Sequence, residues 1–137
     1  QLIYPKDTVI VEDRGYFDFT LMLNRIKAEN IFVTRIKTNT VYETIRELDL
    51  PDGIDQHILK DEIIKLSSQK AQEVGISEYE LRLAHVWKED EQKVISIITN
   101  NLDWDYNTIS KLYKKRWDIE LFFKALKQNL QVKTFWG

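Results

Sequence analysis

The chain has 137 residues, of which 43% are hydrophobic and 12% aromatic, enough for one domain with a buried core and too apolar for a disordered segment. No apolar run is long enough to span a membrane, the first residues do not have the pattern of a secretory signal, and cysteine is absent, which excludes disulfides and thiolate metal sites. The net charge of −2 argues against a nucleic-acid partner for the chain as a whole, but the charges are unevenly distributed.

The first forty residues have the pattern of a strand, a helix and a second strand. The β-branched run Thr8–Glu12 predicts a buried strand that ends at Asp13. Asp18 is a suitable N-cap for the helix that follows, and Ile31–Lys37 predicts the next strand. In such a short βαβ unit the two strands are expected to be parallel or near neighbours in one sheet.

The middle of the chain has a different character. Residues 62–66 predict a strand, with a short helix as the open alternative. Residues 79–87 alternate strictly, and the charged turn 89–92 leads into a second apolar run at 93–99, which predicts a hairpin. We therefore expect residues 41–101 to be a β-rich antiparallel insertion in an α/β frame.

The last part of the chain predicts a basic helix. Asp103 or Asp105 can cap a helix that begins near Tyr106 and continues to about Leu130, with a break near Trp117 as an alternative. Between residues 111 and 133 there are seven basic residues and two acidic ones. A basic helix in an acidic chain is typical either of a polyanion contact or of the solvated side of an amphipathic helix.

Two carboxylates stand out. Asp13 follows a strand end, where α/β sheets bind ligands, although it could equally cap the turn or pair with Arg14. Glu120 lies on one helical stripe between groups that bind phosphate well, although it could simply pair with Arg116. Carboxylates from separate elements beside cationic groups suit Mg²⁺ or Mn²⁺. The stripe around Glu120 consists of Tyr113, Arg116, Lys124 and Lys127.

The segment "LYKKRWDIELFFKALKQNL" resembles the signature helix of bacterial insertion-sequence transposases of the DDE class, the insertion sequence 4 family. The pattern of that family is Tyr-x2-Arg-x3-Glu-x6-Lys, and all four positions are present here: Tyr113, Arg116, Glu120 and Lys127. "VIVEDRGYFDF" similarly resembles the stretch with the family's second catalytic aspartate, which would be Asp13. "FVTRIK" and "TNN" are also similar to segments of the family.

The resemblance implies an α/β fold with a ribonuclease-H-like core, interrupted by a β-rich insertion between the second aspartate and the glutamate. Such enzymes hold two Mg²⁺ or Mn²⁺ ions with three carboxylates, hydrolyse DNA at the transposon ends and join the freed 3′-hydroxyl to target DNA. Asp13 and Glu120 would be catalytic metal ligands. Tyr113, Arg116, Lys124 and Lys127 would bind DNA, and Trp117 would either stack on bases or pack in the core.

The resemblance also implies an incomplete active site. Nothing upstream of Asp13 can supply the family's first aspartate, since Asp7 lies in the loop before the same strand. Because the sequence starts at Gln1 and stops at Gly137 after an aromatic pair, we expect a catalytic-domain fragment that is inactive alone. Its predicted parts are 1–40 (core), 41–101 (insertion) and 102–137 (core with the signature). A core without its first strands would expose a sheet edge.

The resemblance further implies a cytoplasmic protein that associates with the nucleoid when acting on DNA, and a homodimer on DNA in the full-length enzyme. Two other functions remain open at this point. One is a non-catalytic nucleic-acid-binding module with a basic helix, and the other is a different ribonuclease-H-like nuclease such as a resolvase. An active site requires Asp13 and Glu120 to face one another, whereas a binding module does not.

Overall fold

The described part of the chain folds into a six-stranded mixed sheet with two α-helices, so the prediction of an α/β class is confirmed. The computed structural model describes residues 4–12, 18–50, 52–53, 56–104 and 108. In chain order its elements are β1 (Val9–Glu12), α1 (Phe19–Lys27), β2 (Ile31–Ile36), β3 (Tyr42–Leu48), β4 (Ile58–Leu66), α2 (Gln69–Val74), a 3₁₀ turn (Ile76–Glu78), β5 (Leu81–Lys88) and β6 (Lys93–Thr99). The strand order across the sheet is β1-β2-β6-β5-β4-β3.

The β1–α1–β2 unit forms as predicted, but the prediction that its first strand is buried is correct only in part, since Ile10 is buried whereas Val9 is 41% exposed. Asp18 is the N-cap of α1, and its carboxylate accepts a hydrogen bond of 2.8 Å from the amide of Leu21. This bond satisfies one of the free N–H groups of the first turn. β1 and β2 are parallel, with Glu12 opposite Thr34 at their carboxyl ends.

The four later strands form an antiparallel meander that is continuous with this unit. The predicted hairpin is confirmed, with β5 paired to β6 from Arg82–Thr99 to Lys88–Lys93. Residues 62–66 lie in β4, so the strand is correct and the helical alternative is wrong. β6 also pairs antiparallel with β2, which joins the meander to the βαβ unit in one sheet. The division of the chain into core and insertion at residues 40 and 101 stays a prediction.

The connection between β2 and β3 is short. These strands are four positions apart in the sheet, about 19 Å at the usual strand spacing, and only residues 37–41 join them. A turn closed by a hydrogen bond of 3.1 Å from the Thr40 amide to the Lys37 carbonyl shortens this link further. The end of β2 therefore lies close to the start of β3.

Both faces of the sheet are buried over much of their area. On the helix face, the side on which α1, α2 and the 3₁₀ turn pack, the core contains Met22, Phe32, Ile36, Ile64, Leu66, Ala71, Ile76, Leu81, Leu83 and Ile98. On the opposite face, a smaller cluster contains Val33, Ala84, Val86, Ile95 and Ile97, with Val11 and Trp104 packed against it. The alternation predicted along β5 is confirmed, since Leu81 and Leu83 belong to one face and Ala84 and Val86 to the other.

Candidate functional site

The residues that the sequence singled out for chemistry lie outside the described part of the chain. This holds for Asp13, Tyr113, Arg116, Trp117, Glu120, Lys124 and Lys127. Their roles and the approach of Asp13 to Glu120 therefore stay predictions. The structure does define the strand before Asp13, which ends at Glu12. Asp13 is thus the next residue after the carboxyl end of the parallel pair β1–β2, where α/β sheets bind their ligands.

A cavity of about 280 Å³ opens near the carboxyl end of β2 and the first turn of α1. Lys37, just beyond β2, and Lys70, on α2, contribute to its wall, and both are exposed. Within the described part of the chain, neither lysine forms an ion pair. The other lining residues are Asp18, Phe19, Thr20, Met22, Thr34, Arg35, Ile36 and Thr40.

The lining of the cavity suits an anionic or polar ligand, and it offers no free carboxylate among the described residues for acid–base catalysis. Among the described residues that line the cavity, Asp18 carries the one carboxylate, and it already accepts the N-cap hydrogen bond of α1. Lys37 and Lys70 supply two positive charges, while Thr20 and Thr40 supply hydroxyl groups that can donate hydrogen bonds. Lysine ammonium and hydroxyl groups are suitable partners for phosphate oxygens.

The chain leaves the sheet after β6 through a hydrogen-bonded turn. The side chain of Asn100 accepts a hydrogen bond of 2.9 Å from the backbone amide of Phe32 and donates one of 2.9 Å to the backbone carbonyl of Asn30. The side chain of Asn101 accepts a hydrogen bond of 2.9 Å from the backbone amide of Asp103. The segments "TNN" and "FVTRIK", which both carried the resemblance, are therefore bonded to each other.

A buried ion pair holds the residue that follows this turn. Arg82 of β5 donates to both carboxylate oxygens of Asp61 on β4, with its shortest bond at 2.6 Å. The two side chains are only 4% and 1% exposed. Arg82 also donates to the backbone carbonyl of Trp104, whose indole packs on the opposite face of the sheet.

A second polar cluster is buried on the helix face. The Glu62 carboxylate accepts a hydrogen bond of 2.7 Å from the Thr44 hydroxyl, and its other oxygen lies 2.5 Å from Nε2 of His85. Nδ1 of His85 lies 3.0 Å from the Ser96 hydroxyl oxygen. Burial acts to raise the pKa of Glu62, but the hydrogen bonds from His85 and Thr44 and the charges of His85 and Lys60 hold that pKa below its ordinary value. The cluster satisfies its own polar atoms, so it has the character of a structural network.

The described residues bring together no group of three or more His, Cys, Asp or Glu side chains that could hold a metal ion. Asp7 is at the amino end of β1, where its backbone amide donates a hydrogen bond of 2.9 Å to the backbone carbonyl of Glu29. It is therefore at the opposite end of β1 from the carboxyl edge and cannot supply a third carboxylate beside Asp13. In the part of the chain that the structure describes, no helix is long and apolar enough to cross a membrane.

The family model of the transposase DDE domain matches residues 1–135 of the chain. The chain belongs to the transposase DDE domain family. This confirms the resemblance that the sequence showed. Members of this family act on DNA and generally use divalent metal ions.

Curated relatives of this transposase domain come from distant bacteria. The proposed transposase y4zB of Sinorhizobium fredii is 30% identical over 127 residues, which cover 91% of this chain and 35% of that protein. The proposed transposases of insertion sequence element IS5377 from Geobacillus stearothermophilus and IS4SA from Synechocystis are each 25% identical, over 94% and 93% of this chain and 33% and 34% of those proteins. The chain spans about a third of the length of these relatives. No solved structure matches it.

Several residues of this transposase domain that the structure places near the strand ends were not identified from the sequence. Lys37 was visible only as the last residue of a predicted strand, and Lys70 lies in a helix that the strand patterns did not predict. Arg82 was noted only as one residue of an alternating strand, and the structure shows that it is buried and ion-paired. A buried charge has no separate signal in such an alternation, because its partner Asp61 is 21 residues away.

Proposed function

We propose that this chain is part of the catalytic domain of a DNA transposase with a ribonuclease-H-like core, which hydrolyses phosphodiester bonds at transposon ends and transfers the freed strand to target DNA. The observation that carries this proposal is the match of the transposase DDE family over residues 1–135. The parallel pair β1–β2 supports it, because it ends one residue before the proposed catalytic aspartate Asp13. The ribonuclease-H-like core is part of the proposal. Of the elements expected in such a core, the described part of the chain contains only the β1–α1–β2 unit.

Two divalent ions, Mg²⁺ or Mn²⁺, belong to the proposed active site. Asp13 and Glu120 would hold them, because carboxylate oxygens are the ligands that these hard cations prefer. The ions would activate a water molecule or a 3′-hydroxyl and stabilise the leaving oxygen. The donor set fits this use only in part, because Asp7 is at the wrong end of β1 and no other residue precedes Asp13 as a candidate for the first aspartate. We therefore propose that the 137-residue chain alone binds metal weakly and does not cleave DNA.

DNA would be held by cations around this site. We propose that Tyr113, Arg116, Lys124 and Lys127 bind phosphates of the transposon end, with Trp117 beside them. We propose that Lys37 and Lys70, which line the cavity next to α1, also bind DNA phosphates. Both lysines are exposed, and their charges are available to a polyanion. In the full-length protein, we expect a homodimer on DNA.

The test uses a full-length protein that contains this chain, purified with and without Glu120→Gln. We expect the variant to bind transposon-end DNA with an affinity within about threefold of the wild type and to lose strand cleavage in Mg²⁺. The control is Glu73→Gln, which changes an exposed glutamate of α2 and should cleave normally. A Glu120→Gln protein that still cleaves would sink the catalytic assignment. A wild-type protein that binds ends but never cleaves would instead favour a non-catalytic DNA-binding module.

A further inference from the structure

The Arg82 guanidinium connects the sheet to the segment that leads toward the proposed signature. Its Nε and one terminal nitrogen bind the Asp61 carboxylate, at 3.1 and 2.6 Å, in a fork-to-fork arrangement. The other terminal nitrogen donates to the carbonyl of Trp104. One buried side chain therefore joins β4, β5 and the chain beyond β6.

The same short segment is also fixed from its other side. Asn100 bonds to the backbone of Phe32 and Asn30, which places the end of β6 against the start of β2. Asn101 accepts the amide of Asp103 in an Asx-type turn. Trp104 packs against the apolar cluster of the opposite face. Residues 100–104 are thus held against the sheet by the hydrogen bonds of Asn100, by the bond from Arg82 to the Trp104 carbonyl and by the packing of the Trp104 indole.

We infer that Arg82 is a positioning residue of the transposase reaction, which sets where the chain leaves the sheet and hence where Glu120 lies relative to Asp13. This inference rests on the proposed function. Glu120 follows Trp104 by sixteen residues, so a shift of the point where the chain leaves the sheet would be carried to Glu120 by the helix that the sequence predicts from about Tyr106, unless that helix has the alternative break near Trp117. A displacement of about 1 Å in a catalytic group can cost about 100-fold in rate. The β-rich part of the chain therefore contributes to catalysis through Asp61 and Arg82 without contact with DNA or metal.

The geometry distinguishes this role from general stabilisation. Asp61 and Arg82 compensate one another's charge, so replacing both with apolar residues of similar size removes the buried charges together, and such replacements are often neutral for stability. The carbonyl of Trp104 then loses its donor while the sheet keeps its packing. Positioning and stability can thus be separated in one double variant.

The experiment compares three variants of the full-length protein. Asp61→Leu/Arg82→Met removes the pair, Arg82→Lys keeps the charge but not the fork, and Lys88→Met is the matched control. Lys88 lies on the same strand and face as Arg82, is buried, and pairs with Asp90 and Glu91 of its own hairpin. Each variant is assayed for single-turnover cleavage, for the Mn²⁺ concentration that gives half-maximal cleavage, for end binding and for thermal unfolding.

We expect the double variant to cleave 10- to 100-fold more slowly and to need more Mn²⁺, with end binding unchanged within about threefold. Arg82→Lys should recover part of the rate, and Lys88→Met should cleave like the wild type. A double variant that cleaves at the wild-type rate with the wild-type Mn²⁺ requirement overturns the inference. So does a double variant whose loss of cleavage is matched by Lys88→Met at equal stability.

Hydrogen exchange on the 137-residue chain tests the inference independently of activity. The double variant should lose protection of the backbone amides of residues 101–104, such as those of Asn101 and Asp103, while the amides of β5 and β6 stay protected. Unchanged protection at 101–104 would overturn the inference even if the wild-type enzyme cleaves. A wild-type protein that does not cleave at all would refute the proposed function, whereas this exchange result would still decide the role of Arg82.

Discussion

Nε2 of His85 on β5 lies 2.5 Å from a carboxylate oxygen of Glu62 on β4, whose side chain is fully buried. The other Glu62 oxygen accepts a hydrogen bond of 2.7 Å from the hydroxyl of Thr44 on β3, and His85 extends the network to Ser96 on β6. One carboxylate thus joins strands β3 to β6 on the helix face. A buried carboxylate is tolerated only when its partners compensate its desolvation, so this network should matter for stability.

Glu62→Gln should lower the free energy of unfolding by about 1–3 kcal/mol. The amide keeps the size of the side chain but removes the charge that His85 and Lys60 face, and it leaves a buried partner poorly satisfied. Urea unfolding of the 137-residue chain measures the change. Glu73→Gln on the exposed face of α2 is the control and should change stability by less than about 0.5 kcal/mol. Equal effects of the two substitutions would contradict the structural role of Glu62.

The stability of the chain should fall as the pH is lowered below about 4.5, the ordinary pKa of a glutamate. The pKa of Glu62 is lower in the folded chain than this value, so its stabilisation is complete above the unfolded pKa and is lost as the pH falls through the folded one. The pKa of Glu91 is also lowered, because its hydrogen bond with Arg35 and the charges of Arg35 and Lys88 outweigh burial. Hydrogen bonding to Lys88 lowers the pKa of Asp90 in the same direction.

Urea midpoints between pH 3.5 and 6 measure this dependence. The Glu62→Gln variant should show a shallower fall, since one of the contributing carboxyl groups has been removed. Wild type and variant that lose stability in parallel over this range would show that the Glu62 pKa is not lowered by folding.

The sequence predicted the elements whose signals are local. The strand before Asp13, the helix capped by Asp18 and the β5–β6 hairpin all depend on residues within about ten positions of one another, and all are observed. The position of β6 between β2 and β5 depends on contacts over more than sixty residues, such as Asn100 with Phe32, which no period in the sequence records.

The candidate site shows the same division. Asp13 and the stripe around Glu120 were identified from a spacing and a resemblance, both of which are local in sequence. The roles of Arg82 and the cavity lysines depend on tertiary contacts that the sequence does not show. Arg82 is recognised from its contacts with Asp61 and Trp104, and Lys37 from its place on the same cavity wall as Lys70.

Asp18→Ala should destabilise the chain by about 1 kcal/mol, because it removes the acceptor of the Leu21 amide in the first turn of α1. Asp18→Asn is the matched control, since asparagine caps helices about as well as aspartate. Thermal or urea unfolding distinguishes the two variants. Equal losses for alanine and asparagine would mean that the charge of Asp18, and not its hydrogen bond, stabilises the helix.

Lys37→Ala and Lys70→Ala should each weaken DNA binding by the full-length protein and reduce its salt dependence. Both lysines line the cavity beside the carboxyl end of β2 and are exposed. A phosphate contact contributes about 0.9 to the slope of log K against log salt concentration, so each variant should reduce that slope by about one. Binding isotherms with transposon-end DNA at 50–200 mM salt measure the slope.

Lys27→Ala is the control for these lysine variants. Lys27 is exposed in the last turn of α1, about 7.5 Å along the helix axis from Met22, the cavity-lining residue of α1 that is nearest to it in sequence. Its removal changes the net charge by the same amount but should leave the slope within experimental error. If Lys27→Ala reduces the slope as much as Lys37→Ala and Lys70→Ala, the effect comes from net charge alone, and the cavity is not a phosphate-binding surface.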